Sequence, residues 1–206
     1  VHYYRSYSDN TSGLLSSRVT CLFSDSQKRM WIGTVAGVNM LGSDDSFVPF
    51  ELGTDDKSVR SIFEGKGGTI YAVVGYSLCR FNPETNIFEK VLDSTEESME
   101  HSASYIDYVS AGDGNIWAIT PSKATLLNGS NLAVVTSRQL RHAPTGSYVD
   151  DNGDLWLLSP EGLQILNPTL PSFAPLPANL AKADAALHST GLRAIYRYSD
   201  EELIFL

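Results

Sequence analysis

Side chains able to do acid–base, nucleophilic or metal chemistry are sparse in this sequence and do not cluster. The four histidines, His2, His101, His142 and His188, are scattered, with no His-x-x-x-His spacing to place two imidazoles on one metal. No Gly-x-Ser-x-Gly elbow presents a nucleophilic serine, and no glycine-rich loop cradles phosphate. Asp150-Asp151-Asn152-Gly153-Asp154 offers oxygen ligands at the spacing that opens a calcium loop. It lacks the downstream bidentate glutamate, so a hairpin turn is expected there. Cys21 and Cys79 read as small buried apolar side chains rather than a disulfide. Paired carboxylates for glycoside hydrolysis are assembled by the fold and leave no linear signature. No catalytic residue, cofactor or metal is therefore assigned.

Composition narrows the partners. Fifteen basic against 24 acidic side chains give a net charge of −9. That disfavours nucleic acid, which is held by clustered Lys and Arg against phosphates, and equally an anionic membrane surface. Hydrophobic residues at 42% and charged residues at 19% lie in the globular range. No apolar run approaches the roughly 20 residues that span a bilayer. The opening Val1-His2-Tyr3-Tyr4-Arg5 lacks the apolar stretch of a signal peptide.

The elements that would position any site come from an internal repeat. Taking Trp31 as an anchor, counterparts stand at Tyr71, Trp117, Trp156 and Ile204, at intervals of 40, 46, 39 and 48 residues. An apolar residue lies eight positions before each one: Phe23, Phe63, Val109, Tyr148 and Tyr196. Downstream, Val38, Leu78, Ala124 and Leu163 align without gaps, as do Leu41, Phe81, Leu127 and Leu166. Gly42, Asn82, Asn128 and Asn167 follow, marking a turn.

Each copy reads as four short strands separated by Gly, Asn and Asp turns; in the first they are Val19–Ser24, Met30–Thr34, Val38–Leu41 and Phe47–Phe50. A lone four-stranded sheet has two apolar faces, and stacking such sheets radially buries both. The expected fold is an all-β propeller of four-stranded antiparallel blades, about four complete plus the start of a fifth. It forms a single domain over 1–206, with blades near 14–52, 57–92, 103–136, 143–177 and, incomplete, 190–206. The anchors Trp31, Tyr71, Trp117, Trp156 and Ile204 are expected to wedge between blades, with sugar stacking by the tryptophans the competing reading. Ala178–Ala186 is expected to form at most a turn or two of helix, and the acidic run Glu96–Glu100 a solvated linker. The chain stops after the second strand of its fifth repeat. Val1–Tyr7 is expected to complete that blade, or the chain is a piece of a longer propeller; open edges would otherwise recruit a second copy.

The first repeat resembles a known family. Gly13-Leu14-Leu15-Ser16-Ser17-Arg18-Val19-Thr20-Cys21-Leu22-Phe23-Ser24-Asp25, Met30-Trp31-Ile32-Gly33-Thr34 and Gly37-Val38-Asn39 are similar to a two-component regulator propeller repeat. Later copies depart from it: Val73-Val74 replaces the Gly-Thr pair, and the first repeat has Lys28-Arg29 at the turn glycine. The resemblance implies the N-terminal part of a periplasmic sensor region in a Bacteroidetes hybrid two-component protein. Such proteins continue into a second propeller, a β-sandwich, one membrane span and cytoplasmic kinase, receiver and DNA-binding modules. It further implies an oligosaccharide signal and control of polysaccharide utilisation, with the rest of the sensor region as partner.

Two function classes follow. The first is a non-catalytic, glycan-responsive extracytoplasmic sensor module. The second is a propeller enzyme, a glycan-degrading enzyme or a lyase, because Asp113-Gly114-Asn115-Ile116-Trp117 and Asn152-Gly153-Asp154-Leu155-Trp156 also resemble streptogramin-lyase repeats. Ser24-Asp25 is similar to the Asp-box of sialidase propellers, but its spacing and turn differ. Loops entering the innermost strands rim a propeller's funnel, so Arg18, Lys57, Tyr105 and His142 are the expected ligand contacts.

Overall fold

A computed structural model describes residues 13–93, 107–170, 195–197 and 203–205. Expectations for Val1–Tyr7, Glu96–Glu100, Tyr105 and Ala178–Ala186 lie outside these residues. The chain divides into two compact units, Val1–Ser98 and Met99–Leu206, and each is taken by itself.

In the first unit, β1 (Val19–Ser24), β2 (Met30–Thr34), β3 (Gly37–Leu41) and β4 (Phe47–Leu52) form one antiparallel meander. A second contains β5 (Val59–Glu64), β6 (Ile70–Val74), β7 (Ser77–Asn82) and β8 (Ile87–Asp93). Their outer strands touch in parallel, Glu51 opposite Ile87 and Leu52 opposite Phe88. The second unit holds a four-stranded meander, β9 (Asp107–Ser110), β10 (Ile116–Ile119), β11 (Lys123–Leu127) and β12 (Val134–Gln139). Three described strands follow, β13 (Gly146–Val149), β14 (Leu155–Ser159) and β15 (Gly162–Leu166), then the pair β16 (Ile195–Arg197) and β17 (Leu203–Phe205).

The eight-residue offset found in the sequence is a cross-strand pair in every copy. Phe23 faces Trp31, Phe63 faces Tyr71, Val109 faces Trp117, Tyr148 faces Trp156 and Tyr196 faces Ile204. Equal hairpin lengths thus bring each anchor to the same place in its sheet, and alternation along the strand turns Trp31, Tyr71, Trp117 and Trp156 to one face.

In the first unit that face is a seam between blades. Trp31 is fully buried, with ring centroids 5.2 Å from Phe50 of its own sheet and 5.3 and 5.8 Å from Phe81 and Phe88 of the next. Val38, Leu52, Val59, Ile62 and Val74 complete the core. The Gly of the Gly-Thr pair follows from this packing: a Cβ on Gly33 would lie 2.7 Å from Val59 Cγ1, so the second blade closes only over glycine. In the second unit Trp117 is likewise fully buried, packed with Leu155, Leu157 and Leu166 of the following sheet.

The remaining repeat positions hold turns. Three residues past the anchor a hydroxyl closes the second hairpin: Thr34 Oγ1 donates to Gly37 O at 2.9 Å, Thr120 Oγ1 to Lys123 O at 3.1 Å and Ser159 Oγ to Gly162 O at 2.9 Å. Val74 does without it. In the third turn the side-chain oxygens of Asn82, Asn128 and Asn167 accept from the backbone N–H two residues on, at 2.9, 2.9 and 2.8 Å. The first repeat has Gly42 there, and Asp44 takes over by accepting from Ser46 N at 3.2 Å.

The first turn carries an aspartate six residues before the tryptophan. Asp25 Oδ2 accepts from Trp31 Nε1 at 2.9 Å, and Oδ1 from the N–H groups of Gln27 and Arg29, both at 2.9 Å. Arg29 Nε closes an ion pair at 2.6 Å. Asp150 repeats the arrangement with Trp156 Nε1 at 2.9 Å and the N–H groups of Asn152 and Asp154. The acidic run at 150–154 is accordingly the hairpin turn expected, its Asp150 carboxylate occupied by protein donors. In the third repeat Ala111 takes this position, and Trp117 Nε1 is buried with no hydrogen-bond partner among the described residues.

Three positions before the anchor the backbone is left-handed in the four copies where that turn is described: Lys28 (φ 66°), Gly68 (φ 78°), Gly114 (φ 81°) and Gly153 (φ 81°). Lys28 is the copy that carries a side chain into this conformation, which costs an L-residue about 1–2 kcal/mol.

This turn generates substitutions of opposite sign, both readable by urea denaturation. Lys28→Gly should raise stability by about 1 kcal/mol. Asp25→Ala should lower it by about 3 kcal/mol, because Trp31 Nε1 and two N–H groups lose their acceptor. Burial pushes the Asp25 carboxyl up, but hydrogen bonds from Trp31 and Arg29 and the Arg29 charge outweigh it, holding it below its ordinary 3.8. A depressed carboxylate stabilises fully above that ordinary value and loses its contribution as pH falls through the folded-state value. Stability measured against pH below 3.8 should therefore fall less steeply in Asp25→Ala than in the parent.

Candidate functional site

Loops entering the innermost strands are held from two sides. Val35 N donates to Arg18 O at 3.2 Å, and in the next blade Gly75 N donates to Ser58 O at 2.9 Å. An amide eight residues past the anchor grips the same segment. Asn39 Oδ1 accepts from Leu15 N at 3.1 Å, while Gln164 accepts from Arg141 N at 2.8 Å and donates to His142 O at 2.9 Å. Asn39, one methylene shorter, makes a single such bond, and its Nδ2 is buried with no partner among the described residues.

The expected ligand contacts fare differently. Arg18 and His142 are exposed, each with its backbone carbonyl engaged as above, in the first and second units respectively. Tyr105 lies outside the described residues. Lys57 lines a cleft of about 520 Å³ in the first unit, together with Thr54, Asp55, Asp56, Tyr76 and Lys90.

Local sequence builds this cleft. Parallel pairing of β4 with β8 ends where Gly53 N donates to Phe88 O at 2.8 Å. A Cβ at Gly53 would sit 3.2 Å from that oxygen, so glycine permits the close approach. Lys57 Nζ then donates to Leu52 O at 3.1 Å and Thr54 O at 2.6 Å, drawing the loop around its ammonium. Asp56 Oδ1 accepts from Ser58 N at 2.8 Å, and Arg60 Nη1 reaches Gly75 O at 3.4 Å. Gly75 adopts φ 56°, and a Cβ there would lie 2.8 Å from Asp56 Cγ. Beside it Tyr76 is 54% exposed, a large aromatic that the core does not use.

The cleft thus offers a fixed rim, an aromatic face, ammonium donors and carboxylate acceptors, a set suited to holding a polar ligand. Sequence reasoning reached Lys57 but passed over Asp55, Asp56, Tyr76 and Lys90. One signal was present: Gly75-Tyr76 occupies a hairpin turn where the first repeat has Val35-Ala36, and nothing in the repeat asks for an aromatic there.

Comparisons bear on the architecture. Residues 13–36 match the family model described as two component regulator propeller. No curated protein sequence matches the chain. Among solved structures, an extracellular domain titled as that of a hybrid two component system from B. thetaiotaomicron is 18% identical with a TM-score of 0.60, over 89% of this chain and 25% of its own. A second such domain from the same organism is 11% identical with a TM-score of 0.52, over 94% and 33%. Virginiamycin B lyase from Staphylococcus aureus is 12% identical with a TM-score of 0.63, over 92% and 63%. The chain spans a quarter to a third of the first two and under two thirds of the lyase. At these identities the likeness establishes the fold, a β-propeller of four-stranded blades.

Gly75→Ala should lower stability by about 1–3 kcal/mol, since it adds left-handed strain to a clash with a tethered Asp56. Urea denaturation measures the loss, and amide shifts confined to 53–58 and 75–77 should accompany it.

Proposed function

We propose that this chain is a recognition propeller of a hybrid two-component signalling protein, a non-catalytic extracytoplasmic region that responds in the periplasm to an oligosaccharide. The observation that carries this reading is the repeat at 13–36. Its family positions have identifiable structural work here: Asp25 holds the indole of Trp31, Gly33 admits Val59, Thr34 closes a turn and Asn39 grips the entering loop. The likeness to extracellular domains of hybrid two component systems supports it, as does a net charge of −9 that disfavours nucleic acid and anionic lipid. On this reading 1–206 is one propeller domain whose open blade edges meet the rest of the sensor region or a second copy. Ligand binding biases the packing of sensor modules across a dimer, and the shift crosses the membrane.

Likeness to virginiamycin B lyase over 92% of the chain supports a second reading, a propeller lyase. The two separate cleanly. The sensor reading expects the coding sequence beyond residue 206 to contain one apolar membrane span followed by kinase and receiver motifs. It also expects virginiamycin B to be recovered unchanged by liquid chromatography after incubation with the protein. Further blades without a span, together with a converted antibiotic, would establish the lyase instead.

A further inference from the structure

We propose that the cleft formed by the 53–58 loop and the β6–β7 turn is a binding subsite for one neutral sugar ring, seated on the face of Tyr76. This deepens the recognition reading and rests on it. A volume of about 520 Å³ lies within the range of small-molecule sites, and its rim is already fixed before any ligand arrives. Gly53 N to Phe88 O, Lys57 Nζ to two carbonyls, Asp56 to Ser58 N and Gly75 N to Ser58 O hold the loop in one conformation. Binding to a fixed rim avoids the entropic cost of ordering it.

The chemistry of the lining selects the ligand class. Tyr76 is 54% exposed, at a turn whose first residue, Gly75, packs against the Asp56 side chain. An amphipathic ring in such a place presents an apolar face for the C–H surface of a sugar. Around it stand both hydrogen-bond senses: carboxylates at Asp55 and Asp56 accept from hydroxyls, and ammonium groups at Lys57 and Lys90 donate to them. Lys57 directs two of its three N–H bonds to Leu52 O and Thr54 O, leaving one for a ligand. Because part of its charge is already engaged and two carboxylates sit beside it, the cleft favours a neutral ring over a uronate or sulfate. The overall charge of −9 acts in the same direction.

The test is amide chemical-shift mapping of the protein with galactose, mannose and arabinose, each titrated through the millimolar range, and with galacturonate as the anionic comparison. At least one neutral sugar should shift the amides of 53–57 and 76–77 saturably, with galacturonate binding several-fold more weakly. Tyr76→Phe should keep the response, and Tyr76→Ala should weaken it at least tenfold while leaving the remaining spectrum unchanged. Three results would overturn the subsite: no neutral sugar moving these amides, Tyr76→Ala binding as the parent does, or galacturonate binding more tightly. Saturable shifts elsewhere in the chain alone would remove this subsite yet leave the sensor reading standing, whereas that reading falls on the gene and lyase tests above.

Discussion

The structure of the first unit depends on one contact, the burial of Trp31 between two sheets. Its indole meets Phe50 on its own blade and Phe81 and Phe88 on the next, so neither sheet could hide its inner face without the other. Replacing a buried tryptophan by alanine typically costs about 3–5 kcal/mol, a large share of the stability of a domain. The polar work around it follows from the same burial. An indole N–H taken out of water needs an acceptor, and Asp25 supplies it; the aspartate in turn needs donors, and the first hairpin turn supplies them. Glycine at 33 is the condition for the blades to approach this closely.

The candidate site is a consequence of how that seam ends. Outer strands converge at Glu51–Leu52 and Ile87–Phe88, and the chain must turn from one blade's outer strand to the next blade's inner strand within six residues. Glycine at 53 and the Lys57 ammonium make that turn possible, and what remains above it is a polar recess. The rigid sheets place the recess, and Asp55, Tyr76 and Lys90 give it character. That division suits a recognition module, in which the same scaffold carries different turns.

Much of the fold was legible because a propeller blade is periodic. The eight-residue spacing from Phe23 to Trp31 and from Tyr148 to Trp156 is a cross-strand pair, and β1 and β2 fall where the sequence put them. Strands β3 and β4 run slightly longer, to Gly37 and Leu52, since pairing continues past the apolar alternation. The Asp–Trp hydrogen bond was also written in the sequence, as a spacing of six in the first and fourth repeats that the third breaks with Ala111. What sequence could not supply was the cleft. Tyr76 and Lys90 are fourteen residues apart and meet because β7 pairs with β8, and the 53–57 loop joins them because β4 pairs with β8. Arg18 corresponds in the repeat to Ser58 rather than to Lys57, and Lys57 is the one of the two expected contacts that lines the recess.

The Trp31 seam makes the two described blades of the first unit one cooperative body. Hydrogen exchange followed by mass spectrometry, comparing the parent with Trp31→Ala, tests it directly. Peptides covering β1–β4 and those covering β5–β8 should lose protection together and by the same amount. Loss confined to β1–β4, with β5–β8 as protected as in the parent, would contradict it.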